Sequence, residues 1–312
     1  MDRMKGATEP AGNATMTLLA VGGTGESFLG DRRPNVSGLL SAVTSRLDER
    51  FDCRWVGYPA SYGPAPRLGG MSYLRSVAIG TDELHAALQR TTGPVALIGY
   101  SQGAVVIRSA LHDLSVMGAE VLQRITAVGF VADPHQPPGV VPGCVGGGVA
   151  GPGLALPSDL PVFWVGASDD AICNAGADSY LRDIADLTAG MTLGRVREWY
   201  TYLWQVLRHN AFQNATRTRV GLGQMMRDIV RLRSASGEVR GYLPGVIAWH
   251  GLRIRNRRGG RHTAYAREPY RRGSVTDPDS TGCEALASWL QVRATFSEVG
   301  PRVDPVEGDL VA

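Results

Sequence analysis

Short apolar runs bounded by glycine, proline and polar turns recur along the first half of the chain. Met16-Thr17-Leu18-Leu19-Ala20-Val21 reads as a buried strand that ends in Gly22-Gly23-Thr24-Gly25-Glu26. Phe51 to Tyr58 alternates like a strand and breaks at Pro59. Val95-Ala96-Leu97-Ile98, Ile125 to Val131 (closing on Asp133-Pro134) and Val162 to Gly166 are further strand candidates. Between them, Ser37 to Leu47 reads as a helix with Ser37 as N-cap, and Ser72 to Arg90 carries Leu74, Val77, Ala78, Leu84 and Leu88 at helical spacing. Ala104 to Leu111 continues as a helix after the run at 95–98. Strands that are apolar throughout, alternating with helices, predict an α/β fold around a mostly parallel sheet covered on both faces.

The rhythm changes after the strand at 162–166 and its loop. Val196, Trp199, Tyr200, Leu203, Trp204 and Leu207 fall at helical spacing, as do Leu222, Met225, Met226, Ile229 and Val230. Residues 178–245 therefore read as a helical insertion of two or three helices. Ile247-Ala248-Trp249-His250 resumes as a strand, and Glu284 to Val292 reads as a last helix. The expected organisation is a flexible N-terminus over 1–15, one α/β domain built from 16–177 and 246–297, the insertion at 178–245, and a loose tail over 298–312.

Composition narrows the class. At 312 residues, 44% hydrophobic and 20% charged, the chain is an ordinary globular protein rather than a fibrous or disordered one. No run of about 18 apolar residues suggests a membrane span. Met1 to Thr15 lacks the apolar core of a secretory signal, so the expected site of synthesis is the cytoplasm with no recognisable signal peptide. Lys5 is the only lysine; every other residue behind the net charge of +3 is arginine or acid. Arg253, Arg255, Arg257, Arg258, Arg261, Arg267, Arg271 and Arg272 cluster against one acid, Glu268, as a solvated loop or as a contact for an anionic surface. Cys53, Cys144, Cys173 and Cys283 show neither a CxxC pair nor metal-ligand spacing; they allow three pairings, and free buried thiols are the expectation.

Chemistry concentrates in Gly99-Tyr100-Ser101-Gln102-Gly103. Strand, G-x-S-x-G, helix is the context of a nucleophile elbow, whose sharp turn leaves no room for flanking side chains and lifts the serine hydroxyl out of the sheet. A serine needs a base to take its proton and an acid to orient that base. On an α/β-hydrolase fold these follow in the order acid, then histidine. Asp170 is the favoured acid, in Val165-Gly166-Ala167-Ser168-Asp169-Asp170-Ala171-Ile172-Cys173, with Asp169 and Asp133 as alternatives. Of His85, His112, His135, His209, His250 and His262, only the last three follow Asp170. His262, in a loop before the final helix, is favoured over His250 at a strand end; His209 reads as a helix-end residue and His135 as a polar loop residue. The oxyanion formed on attack needs aimed N–H donors, expected from Gln102 and from Thr24 in the glycine-rich loop. That loop lacks the Lys-Ser or Lys-Thr of a phosphate-binding P-loop.

Together these residues resemble the cutinase-type serine esterases. The similarity lies in Gly23-Thr24-Gly25-Glu26 after the first strand, in Tyr58-Pro59-Ala60, in the whole elbow from 99 to 103, in Asp170-Ala171-Ile172-Cys173 for the acid, and in His262 to Tyr265 for a His-x-x-Tyr base motif. It covers roughly residues 16–175 and 245–292. Two features depart from it: no cysteine stands just upstream of Asp170 to pair with Cys173, and the segment 178–245 separates acid from base. Both are similar to the lysin B branch, mycobacteriophage-type mycolylarabinogalactan esterases. That resemblance implies an α/β-hydrolase fold of cutinase type and hydrolysis of the ester joining mycolic acids to arabinogalactan during host lysis. It also implies action at the cell envelope and a Ser101–Asp170–His262 mechanism with Thr24 and Gln102 as oxyanion donors. The insertion would roof the site and accept acyl chains through Trp199, Trp204, Met225 and Met226, or those residues form its own core. The expected partner is a lipid ester of the envelope, with no nucleic acid, no metal and no organic cofactor.

Overall fold

The computed structural model describes residues 16–67, 69–192, 195–209, 252–256, 259–271 and 277–298, with positions 226, 229, 231, 235–238, 241 and 246–249 between them. Its centre is a five-stranded parallel sheet. The strands are β1 (Met16–Val21), β2 (Phe51–Trp55), β3 (Val95–Tyr100), β4 (Ile125–Val131) and β5 (Val162–Val165), in the order β2-β1-β3-β4-β5. Side chains alternate between two cores: Leu18, Ala20, Ala96 and Ile98 enter one, and Leu19, Val21, Val95 and Leu97 the other. Covered on both faces, β1, β3 and β4 lose the polar alternation of a half-exposed sheet and are visible in the sequence as apolar runs, whereas the edge strand β2 keeps the alternation, with Asp52 and Arg54 between its apolar residues.

Helices α1 (Ser41–Thr44), α2 (Tyr73–Gln89) and α3 (Gln102–Val116) follow β1, β2 and β3 respectively. Ser72 caps α2 by accepting the Arg75 N–H at 3.4 Å. Between β5 and the base lie α4 (Tyr180–Thr188) and α5 (Val196–Arg208), and the final helix α6 spans Gly282–Glu298. The 178–245 segment is thus helical where it is described, and its second predicted helix, around Leu222 to Val230, falls largely outside the described residues, as do the N-terminus and most of the tail. Arg182 ties α4 to the sheet domain by donating to the carbonyls of Gly176, Ala175 and Gly147 at 2.8, 3.1 and 3.2 Å. On the other side the Tyr62 hydroxyl meets Thr188 Oγ1 at 2.7 Å, and Thr192 donates to the Gly70 carbonyl.

Two elements differ from expectation. The helix expected over Ser37 to Leu47 is a 3-10 turn (Gly38–Leu40) followed by the single turn of α1, and the Ser37 side chain makes no cap bond. Gly38 sits at φ +66°, and a side chain there would collide with Glu26, whose carboxylate accepts the Leu39 N–H at 2.7 Å. That long-range bond bends the chain at the point where a helix would begin. The strand expected at 247–250 also exists, as β6 (Val246–Trp249), but it pairs antiparallel with β7 (Leu252–Arg255) in a separate two-stranded sheet and not with the central one.

The strand order places the reversal of winding between β1 and β3, where parallel α/β sheets open a crevice at their carboxyl ends. The glycine-rich loop and the elbow lie on either side of it. Gly103 makes their close approach possible: a β-carbon there would lie 2.0 Å from the Val21 carbonyl oxygen, with no flexible side chain to yield. Gly103→Ala should therefore destabilise the fold by about 3 kcal/mol, read as a lower midpoint in urea with an unchanged slope. An unchanged midpoint would show that helix α3 and strand β1 do not approach this closely.

Candidate active site

Ser101 occupies φ +52° and ψ −117°, between the last residue of β3 and the first of α3. A non-glycine residue in this region carries strain of about 1–3 kcal/mol and persists only where its surroundings enforce it. Here the Ser101 N–H donates to the Val131 carbonyl at 2.9 Å, and its own carbonyl accepts the Ala104 N–H at 3.0 Å. Gly99 completes the turn, because a β-carbon at that position would lie 2.8 Å from the backbone of Ala104.

The structure brings Ser101, His262 and Asp170 together from three separate segments. His262 Nε2 stands 2.9 Å from Ser101 Oγ, and His262 Nδ1 stands 2.9 Å from Asp170 Oδ2. A carboxylate only accepts, so the imidazole proton sits on Nδ1 and leaves Nε2 to accept from the serine hydroxyl. His262 belongs to a 3-10 turn, Arg261–Ala266, that begins at Gly260 in a left-handed conformation. The Tyr100 hydroxyl donates to the His262 carbonyl at 2.8 Å, and the two rings lie 5.1 Å apart. Tyr100, next to the serine in sequence, thus also fixes the histidine.

Asp170 is fully buried and accepts three bonds: from His262, from the Tyr265 hydroxyl at 2.7 Å and from the Ile172 N–H at 3.0 Å. Burial raises its pKa, but the His262 charge and these donors outweigh burial and hold it below the usual carboxylate value. Tyr265 is itself buried, which pushes its phenol well above the ordinary value; it stays protonated, receives the Ala167 N–H and donates to Asp170. Cys173 packs below, with its thiol 3.5 Å from the Tyr265 oxygen, and all four cysteines are free.

The other candidates separate on physical grounds. Asp169 is 60% exposed and pairs with Arg261 at 3.2 Å. Asp133 is buried in a different network, where it accepts Arg108 at 2.7 Å, the His135 N–H and the Trp164 indole. His135 is mostly buried and bonded to the Gly151 carbonyl, and burial lowers its pKa. His209 caps its own helix through the Gln205 carbonyl. His250 lies outside the described residues, as do Met225, Arg257, Arg258 and Arg272. Within the arginine cluster, Arg261 is engaged by Asp169 and Glu268, and Arg271 lies over the Tyr270 ring.

Residues 51–159 match the PE-PPE domain family. That span contains Ser101 and Gln102 and ends before Asp170 and His262. No curated protein sequence matches the chain. Among solved structures, a cutinase-like protein from Cryptococcus sp. aligns at 16% identity and TM-score 0.40, over 62% of this chain and 90% of that one. A lipase-esterase related protein from Clostridium acetobutylicum aligns at 17% identity and TM-score 0.26, over 39% and 43%. A pyrethroid hydrolase from Sphingobium faniae aligns at 20% and 0.26, over 42% and 44%. The chain spans less than half the length of the last two. The parallel sheet and elbow identify the architecture as an α/β-hydrolase fold.

The glycine-rich loop reaches the elbow directly. A β-carbon on Gly23 would lie 3.3 Å from Ser101 Cβ and 2.7 Å from the Tyr100 ring. Glu26 holds this loop by accepting the Gly23 N–H at 2.8 Å, and the Gly25 N–H donates to the Ala60 carbonyl. Thr24 is exposed at its tip. Gln102 is the first residue of α3, where helical geometry leaves an N–H without an internal acceptor. Its side chain turns away, donating to the Ser61 carbonyl at 2.9 Å. Thr24 and Gln102 therefore flank the serine from β1 and β3, one on each side of the crevice.

A groove of about 490 Å³ continues from this loop, lined by Gly25, Phe28, Leu29, Pro59, Met71 and Arg195 among others. A larger cavity of about 620 Å³ lies beside the acid and base loops, against Asp169, Arg261, Tyr265 and Tyr270, and Ser101 lines neither. Among the described residues no group of three or more His, Cys, Asp or Glu side chains could hold a metal ion.

Tyr265, Tyr100 and Glu26 carry positioning contacts that sequence reasoning gave no role. Tyr265→Phe keeps the ring and removes one donor from Asp170. Asp170 in the folded protein titrates below its unfolded value, so its stabilising contribution is present above the unfolded carboxylate pKa and lost as pH falls through the folded one. Losing the phenol raises the folded value, and the acid limb of stability should move to higher pH. Coincident acid limbs for variant and wild type would exclude this role.

Proposed function

We propose that the chain is a serine hydrolase of lipophilic carboxylic esters. Ser101 Oγ attacks the ester carbonyl while His262 Nε2 takes its proton. Asp170 holds the Nδ1–H and stabilises the imidazolium. The Thr24 and Gln102 N–H groups hold the oxyanion, and His262 returns its proton to the departing alcohol. Water, activated by the same histidine, then releases the acid from Ser101. The observation that carries this reading is the continuous pair of 2.9 Å contacts from Ser101 through His262 to Asp170, anchored on a serine with positive φ.

The finer reading is a lysin B-type esterase that cleaves the mycolic acid–arabinogalactan ester at the cell envelope during phage-mediated lysis. It is supported by the motif resemblance and by α4 and α5, which stand in sequence between acid and base. A general cutinase-like lipase or esterase is the second reading, favoured by a PE-PPE match that covers the elbow and stops short of those helices. A non-catalytic wall-binding module would leave the Ser101–His262–Asp170 arrangement without a use.

Hydrolysis of p-nitrophenyl butyrate and of purified mycolylarabinogalactan separates them. The lysin reading expects p-nitrophenol from the first and free mycolic acid from the second. Turnover of the small ester alone transfers the assignment to the general esterase, and turnover of neither favours the binding module.

A further inference from the structure

Helix α5 has two unlike sides. Trp199 and Tyr202 donate to the carbonyls of Leu187 and Asp186 in α4, and Val206 is buried. Tyr200, Trp204 and Leu207, at i, i+4 and i+7, form a second stripe that is 65%, 64% and 57% exposed. Contiguous exposed apolar surface of this kind marks an interaction site. The charges around it say what kind. Arg197 and Arg208 are exposed, fall beside the stripe at helical spacing, and have no ion-pair partner among the described residues. The only acid of the helix, Glu198, lies toward the groove at its other side and is paired with Arg195 at 2.9 Å.

We infer that α5 is an interfacial helix that docks the protein on a lipid surface bearing anionic headgroups. Tyr200, Trp204 and Leu207 enter the boundary between headgroups and acyl chains, the depth that Trp and Tyr prefer, and Arg197 and Arg208 reach the headgroup phosphates. A second copy of the chain fits less well, because a two-fold contact through the stripe would bring the same arginines together. The inference stands whether or not Ser101 hydrolyses esters. It also differs from an arginine contact through residues 253–272, since α5 supplies apolar depth and not charge alone.

The test is co-sedimentation with phosphatidylcholine vesicles, with and without phosphatidylglycerol, at low and high salt. Wild type should bind the anionic vesicles and lose affinity as salt rises. A Tyr200→Ser, Trp204→Ser, Leu207→Ser variant should bind about a hundredfold more weakly. Arg197→Gln with Arg208→Gln should cost about thirtyfold, near fivefold for each charge. Hydrolysis of a water-soluble ester without vesicles, or an unchanged circular dichroism spectrum, reports that both variants remain folded. No vesicle binding by wild type overturns the inference, as does equal binding by the stripe variant. Light scattering that shows wild-type dimers and a monomeric stripe variant would assign the stripe to a second copy instead.

Discussion

Ser101→Ala should lower kcat/KM for ester hydrolysis by about 10⁵- to 10⁶-fold, equivalent to roughly 7–8 kcal/mol of transition-state stabilisation. The loss is large because the serine is the bond-forming atom and the other groups act only through it. His262 then has no proton to take, and the N–H donors have no tetrahedral intermediate to hold. Alanine keeps Cβ and the positive φ of the elbow, so the strain and the Val131 bond remain. Thermal stability should change little, and a loss of activity accompanied by unfolding would not count as support. Steady-state kinetics on p-nitrophenyl butyrate with thermal denaturation of the same samples makes the distinction. Retention of more than about a hundredth of the activity in a folded variant would remove Ser101 from the mechanism.

Asp170→Asn should cost about 10⁴-fold in kcat with KM little changed. The substitution preserves shape but offers one acceptor oxygen where the carboxylate takes donors on both: His262 and Tyr265 on Oδ2, Ile172 on Oδ1. The amide also presents donors to a ring that must keep its proton on Nδ1, which favours the tautomer with Nε2 protonated and unable to accept from Ser101. Asp169→Asn, one residue away, should retain nearly full activity, because its carboxylate meets Arg261 at the surface and not the imidazole. Equal losses for the two variants would mean that the acid has been misassigned.

Those adjacent aspartates also mark what a sequence can and cannot disclose. Two neighbours in a polar loop have the same composition and the same pattern. The motif Asp170-Ala171-Ile172-Cys173 favours the second, and the fold separates them physically, one fully buried toward His262 and the other 60% exposed. The serine was legible because its requirements are local: two glycines, a preceding apolar run and a following helix. The central strands were legible for a similar reason, since burial on both faces writes β1, β3 and β4 as apolar runs and the edge strand β2 shows as alternation around Asp52 and Arg54. The shortened helix after Ser37 was not, because the bend there depends on a carboxylate from Glu26 in another turn. Nor was the pairing of Val246–Trp249, since an apolar run says that a strand forms but not which partner it takes. Arg108 did leave a trace: a lone charge inside the apolar stretch 104–111 needs a buried partner, and Asp133 at the end of the next strand supplies it. The supporting tyrosines left less. Tyr100 and Tyr265 act through hydroxyl contacts that span the fold, and a tyrosine near a motif reads equally well as core.

The central claim is that Ser101 is an activated nucleophile. Labelling the intact protein with a fluorophosphonate probe, followed by peptide mapping of the adduct, tests it most directly, because the reaction needs the relay but no knowledge of the natural substrate. The geometry predicts one stoichiometric adduct on Ser101, absent in His262→Ala. An unlabelled protein, or an adduct on another residue, would contradict it.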